Sequence, residues 1–293
     1  MVHVDAPYCA SFDAQPRAPR LALPALSCDC HAHICGPEAD YDYAPQRIYT
    51  PPDALSADYE HMLRTVGVER AVLVQPSIYG TDNAVLMEAM RASMLPCRGV
   101  AVIDAQTPDD DIERLHEAGV RGARFNLVDV REPGGAIPLG KIEGMARYIQ
   151  PRGWHAEFLI HVDDYPELDR MFENFPVPIV FGHLGYTRPD AGVENPGFQA
   201  LLRLLKKGNC WVKLTGPYRI SANAMPYNEV TEKAHALVNA NSDRVVWGTD
   251  WPHVMTPDMP NDGDIVDLLD AWIPDETVRR KVLVDNPAAL YGF

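Results

Sequence analysis

The chain contains no apolar run of 18 residues, so nothing in it reads as a membrane span. Cations are scarce: 26 Lys and Arg against 41 Asp and Glu give a formal net charge of −15. Nucleic acid and anionic membrane surfaces call for a cationic face, so neither is expected as a partner. An anionic small molecule is still compatible, because a few local arginines suffice to hold one. No CxxC pair exists among the six cysteines (Cys9, Cys28, Cys30, Cys35, Cys97, Cys210). They read as reduced thiols of a cytoplasmic protein, not as a disulfide framework. No basic stretch leads into a long apolar core, so no signal peptide is expected. Gly/Ser linkers and low-complexity segments are missing too, which leaves no seam for a second domain. The expectation is a proline-containing N-terminal arm over residues 1–20 and one catalytic domain over 21–293. Oligomeric state is left open.

What is present is a large apolar fraction, 46% of 293 residues, enough for a sizeable core. Short apolar runs recur at Leu26–His31, Ala71–Gln75, Gly99–Asp104, Gly122–Leu127, His155–Val162, Pro178–His183, Cys210–Leu214 and Arg244–Thr249. Near-continuous apolar strands are the mark of a parallel sheet buried on both faces. Between them lie helical stretches at Ser56–Val66, Asn83–Ser93, Asp109–Ala118, Lys141–Gln150, Tyr165–Phe175, Pro196–Lys207, Tyr227–Ala240 and Asp264–Ile273, with Asp275–Val284 at the end. Thr107-Pro108-Asp109 opens one of these helices and Gly119 closes it. Eight strand–helix units predict an α/β fold of the (β/α)8 TIM-barrel type.

Catalytic groups of such barrels sit at the C-terminal strand ends. Here those ends carry His31 and His33, Gln75 to Ser77, Asp104, Arg124, His161, His183, Lys213 to Arg219, and Asp250. His31 and His33 are two apart and share a face of an extended chain, which suits paired metal ligands or proton carriers. Taken alone, they read equally as two histidines at a loop start. Asp250 ends strand eight, beside strand one in a closed barrel, where a carboxylate can activate water directly or with a metal. The plainer alternative is a turn cap before Trp251-Pro252. His183 by itself would read as a satisfied core histidine. Glu157, Leu159 and His161 share a face of strand five, and alternation does not say which reaches the mouth. Arg124 on an apolar strand must be paired or aimed at a ligand. Arg219 is a second guanidinium suited to carboxylates, with ion pairing inside the protein as its alternative. Tyr49 and Ser77 could add hydroxyls. His253 is a candidate rim residue.

Together these residues resemble the amidohydrolase superfamily, and more closely its 2-pyrone-4,6-dicarboxylate lactonase branch. The resemblance spans most of 25–293. It rests on Asp29-Cys30-His31-Ala32-His33, Gln75-Pro76-Ser77, Gly80-Thr81-Asp82-Asn83, Gly122-Ala123-Arg124-Phe125-Asn126, His183, Trp247-Gly248-Thr249-Asp250-Trp251-Pro252-His253 and Asn286-Pro287. It implies hydrolysis of a small anionic lactone in aromatic-acid or sugar-acid catabolism. It makes Asp250 the activator of water. His31, His33 and His183 polarise the carbonyl, and Arg124, Arg219, Tyr49 and Ser77 bind substrate. A metal-dependent decarboxylase and a lactone isomerase are the alternatives within the superfamily. Two departures stand out. The branch's second arginine falls on Val130, with Arg131 one step away, and its strand-five tyrosine falls on Leu159, where His161 could substitute. One divalent metal, Zn2+ or Mn2+, would take His31, His33, His161, His183 and Asp250; metal-free catalysis is the other option. No lysine on strand four matches the bridge of binuclear members, so a two-metal centre is not expected.

Overall fold

The computed structural model describes residues 6–129, 137–256 and 258–293. Eight parallel strands pair in sequence order, β1 to β8. They are β1 (Cys28–Ala32), β2 (Arg70–Val74), β3 (Cys97–Ala101), β4 (Val120–Asn126), β5 (His155–Leu159), β6 (Ile179–Phe181), β7 (Cys210–Leu214) and β8 (Val245–Trp247). Every residue of β1, β2, β5, β6, β7 and β8 is buried, as the near-continuous apolar runs predict. The ring closes just beyond the last strand. Asp250 donates its N–H to the His31 carbonyl at 2.8 Å, and His33 donates to the Trp251 carbonyl at 2.8 Å.

The helices α1 (Ser56–Val66), α2 (Ala84–Ala92), α3 (Asp109–Glu117), α4 (Leu139–Ile149), α5 (Leu168–Met171), α6 (Pro196–Lys207), α7 (Asn228–Asn241) and α8 (Asp262–Trp272) follow the strands in turn. Asn195 caps α6 by accepting from Gly197 and Phe198, and Gly208 ends it at φ 88°. Two expected helices differ. Tyr165–Phe175 shrinks to the single turn of α5, because Pro166 and the turn at Val162–Asp164 hold its start in irregular backbone. Asp275–Val284 splits into α9 (Glu276–Arg280), a π-turn over Lys281–Asp285, and α10 (Asn286–Tyr291). In the arm, Arg17 pairs with Asp264 and Asp267 of α8, and Phe12 lies against Trp251 at 4.9 Å. None of the six cysteines is paired. Among the described residues no helix is long and apolar enough to cross a membrane.

Candidate active site

The closure bonds between β1 and the segment after β8 put His31, His33 and Asp250 side by side. His31 Nε2 lies 3.6 Å and His33 Nε2 3.9 Å from Asp250 Oδ1, and His183 Nδ1 lies 4.0 Å from Oδ2. The backbone is held in the left-handed region at His183 (φ 48°) and Asp250 (φ 68°), conformations that L residues adopt only where their surroundings enforce them. Gly216, after β7, is the one residue that fits its place. A Cβ there would come within 2.8 Å of both Asp250 Oδ2 and His183 Nδ1.

The two oxygens of the fully buried Asp250 are treated differently. Oδ2 accepts from Tyr218 Oη at 2.6 Å and from Arg219 Nε at 2.6 Å. Among the described residues Oδ1 has no hydrogen-bond partner, and neither has His31 Nε2 facing it. Burial alone would raise the carboxyl pKa, but the Arg219 guanidinium together with His183, His31 and His33 outweighs it and holds Asp250 well below the usual range. Burial drives the histidines the other way, His33 down to about 3 and His183 to about 4. At neutral pH the site is therefore a carboxylate among neutral imidazoles. His33 Nδ1 lies 2.7 Å from the Val74 carbonyl, which can only accept. The ring hydrogen is thus on Nδ1, and Nε2 presents a lone pair toward Asp250. His183 Nδ1 is 2.8 Å from Thr215 Oγ1.

Behind His31 lies an ion pair that the sequence reading did not foresee, although it named both members. Lys213 Nζ, fully buried, pairs with Glu157 Oε2 at 2.6 Å, donates to the Cys30 carbonyl at 2.8 Å and lies 3.2 Å from His31 Nδ1. The argument that singled out Arg124, a charge inside an apolar strand, applied equally to Glu157 and Lys213. Tyr218 and Asp262 carried no such signal.

A cavity of about 230 Å³ opens over this group, lined among others by Tyr49, Arg124, Asp129, Leu159, His183 and Arg219. Arg124 donates to the Gln75 carbonyl at 2.8 Å and has no carboxylate within 4.0 Å among the described residues. Arg219 is in the cavity wall but is tied to Asp250. Ser77 borders an adjoining cavity of about 590 Å³ that shares Arg124 and Asp129, and its hydroxyl lies 3.5 Å from Asp129 Oδ2. Strand five ends at Leu159, so Leu159 lines the mouth. His161 falls in the following turn, where its Nδ1 meets the Tyr186 carbonyl at 2.7 Å and its ring stacks on Tyr186 at 4.8 Å. Val130 and Arg131 lie outside the described residues. Among the described residues, His31, His33 and Asp250 form the one group whose ligand atoms all lie within 4.8 Å of one another. Of the five expected ligands this group holds three; His161, whose Nδ1 is engaged by the Tyr186 carbonyl, and His183, on the Oδ2 side, are not part of it.

An eight-stranded parallel barrel with His31 and His33 at the end of β1, His183 after β6 and Asp250 after β8 is the frame of a barrel enzyme. The chain belongs to the amidohydrolase family, whose Amidohydrolase model matches residues 28–293. It is 36% identical over 290 residues, 95% of this chain and 94% of the other, to a 2-pyrone-4,6-dicarboxylate hydrolase of Comamonas testosteroni. A 4-sulfomuconolactone hydrolase of Hydrogenophaga intermedia is 34% identical, covering 93% of this chain and 91% of its own. A solved structure of a probable 2-pyrone-4,6-dicarboxylic acid hydrolase from Acinetobacter baumannii, with citric acid bound, superposes with a TM-score of 0.80 at 25% identity, covering 92% of this chain and all of its own (100%).

Proposed function

We propose that this protein, a lactone hydrolase of the amidohydrolase family, opens a small carboxylated lactone with Asp250 as the base. The observation that carries this is the Oδ1 of Asp250, buried beside neutral imidazoles and under a cavity whose wall holds Arg124, which among the described residues has no carboxylate partner. A water next to Oδ1 gives that oxygen a proton and donates its other hydrogen to His33 Nε2. Its oxygen adds to the lactone carbonyl carbon. His183, whose Nδ1 can accept from the Thr215 hydroxyl, then presents Nε2–H to the carbonyl oxygen as charge develops there. The ring C–O bond breaks, and Asp250 returns its proton to the leaving oxygen. Arg124 anchors the substrate carboxylate, with Tyr49 beside it, and Ser77 sits one cavity further out.

The donor set also fits one small divalent cation. His31 Nε2 and Asp250 Oδ1 are buried without a partner, and both nitrogens belong to neutral rings. His31, His33 and Asp250 would hold it, and it would supply polarisation of the carbonyl or of water.

The test is a panel of carboxylated lactones, run with the wild type and Asp250→Asn and read by product mass. Hydrolysis gains one water. Loss of carbon dioxide would indicate decarboxylation, and unchanged mass would indicate isomerisation. Activity retained in a folded Asp250→Asn would remove the proposed base.

A further inference from the structure

Behind Asp250 a chain of buried groups runs away from the cavity. Tyr218 Oη is 2.6 Å from Asp250 Oδ2 and 3.1 Å from His253 Nδ1. His253 Nε2 is 3.0 Å from Asp262 Oδ1, and His253 and Asp262 are both fully buried. Asp262 stands in the first turn of α8, where the helix dipole favours its negative charge. A carboxylate only accepts, so Nε2 of His253 carries a ring hydrogen; in the neutral tautomer Nδ1 is then a lone pair, and Tyr218 has one hydrogen and two acceptors. His253 is held in this pose by backbone as well. Its φ is 60°, and its N–H donates to the Asp250 carbonyl at 2.9 Å.

We propose that His253 is a positioning residue of the reaction, offering Tyr218 a second seat for its hydroxyl hydrogen when Asp250 takes a proton from water. In the resting site Oδ2 is an ionised acceptor and holds the Tyr218 hydrogen in a strong, charge-assisted bond. Once water has protonated Oδ1, Oδ2 becomes the carbonyl oxygen of a neutral acid and a weaker acceptor. The hydroxyl turns to His253 Nδ1, and Arg219 Nε–H remains on Oδ2. When Asp250 hands its proton to the leaving ring oxygen, the hydroxyl turns back. No bond to hydrogen breaks in the turning, so only the water proton is transferred, and it ends on the product. Asp262 keeps the His253 tautomer that makes the second seat available, the role a carboxylate plays toward a histidine in hydrolase triads.

This rests on Asp250 acting as the base, and the test separates the two. His253→Leu removes the seat, whereas His253→Asn keeps an acceptor where Nδ1 was. On the lactone that the panel identifies, His253→Leu is expected to lower kcat about 10- to 100-fold with KM within about threefold, and His253→Asn to stay within about threefold of wild type in both. Equal losses in the two variants, or kcat unchanged in His253→Leu, would overturn the proposal while leaving the lactonase reading intact. The second measurement needs no turnover. Side-chain nitrogen NMR of the full chain is expected to place the His253 hydrogen on Nε2. A hydrogen on Nδ1 would overturn the proposal whether or not any lactone is hydrolysed.

Discussion

Two fully buried aspartates stand at the junction of β1 and β8, and their surroundings are opposite. Asp29 is saturated. Its oxygens accept from the backbone N–H groups of His31 and Thr249 at 3.1 and 2.9 Å, from Thr249 Oγ1 at 2.6 Å and from Tyr59 Oη at 3.0 Å. None of these donors is charged, so burial wins and lifts its pKa to about 6. Asp250 has a guanidinium on one oxygen and, among the described residues, no hydrogen bond on the other, and its pKa is held down. A buried acid with every lone pair engaged fastens backbone segments together. A buried acid with a charge partner and one open oxygen is ready to take a proton from a bound molecule. The first ties β1 to the segment that carries the second, so the structural aspartate places the reactive one.

The comparison can be broken at several points. Asp250→Asn should lower kcat by about 1,000-fold or more with the far-UV spectrum unchanged, since it removes the base and leaves the knot. Arg219→Met should follow with a loss of about 100-fold in kcat/KM. Without the cation the Asp250 pKa rises, so the acid limb of the pH–rate profile should move to higher pH, and a limb that stays put would dissociate Arg219 from the base. Asp29→Asn should leave kcat within about tenfold and instead lower stability by roughly 1–3 kcal/mol in denaturant titrations. An amide brings a donor to where four donors already converge.

The smallest effect is in the pH dependence of that last cost. The folded pKa of Asp29, about 6, lies above its unfolded value, so between roughly pH 4 and 6 the native state holds the extra proton. Its contribution is full below pH 4 and is lost as pH rises through 6. The stability of wild type minus that of Asp29→Asn should therefore fall across this window by up to about 1.4 kcal/mol per pH unit. A difference that rises with pH would mean that the four hydrogen bonds outweigh desolvation.

Much of this was legible in the chain because it depends on local pattern. Apolar runs of strand length with helical stretches between them predict the barrel. Charges interrupting those runs mark Arg124, and by the same rule Glu157 and Lys213. The spacing of His31 and His33 needs only strand alternation to put both on one side. Where pattern was ambiguous the ends of elements decided. Alternation grouped Leu159 with His161, but β5 stops at Leu159, and beyond the last strand residue alternation no longer says where a side chain points. Arg219 carried two readings, ion pair or substrate anchor. The structure has it in an ion pair, at 2.6 Å from Asp250, while still in the cavity wall.

The sequence by itself determined the fold class, the residue types at the mouth and the strand ends that deliver them, because these follow from periodicity and burial along one stretch of chain. Only the tertiary structure decided that Asp29 is saturated and Asp250 half open, that Lys213 and Glu157 stand behind His31, and that Tyr218 lies between Asp250 and His253. Those are contacts between residues 30 to 220 positions apart. A hydrogen-bond partner or a pKa is a property of the space around an atom, and that space is assembled only when distant segments of the chain close the barrel.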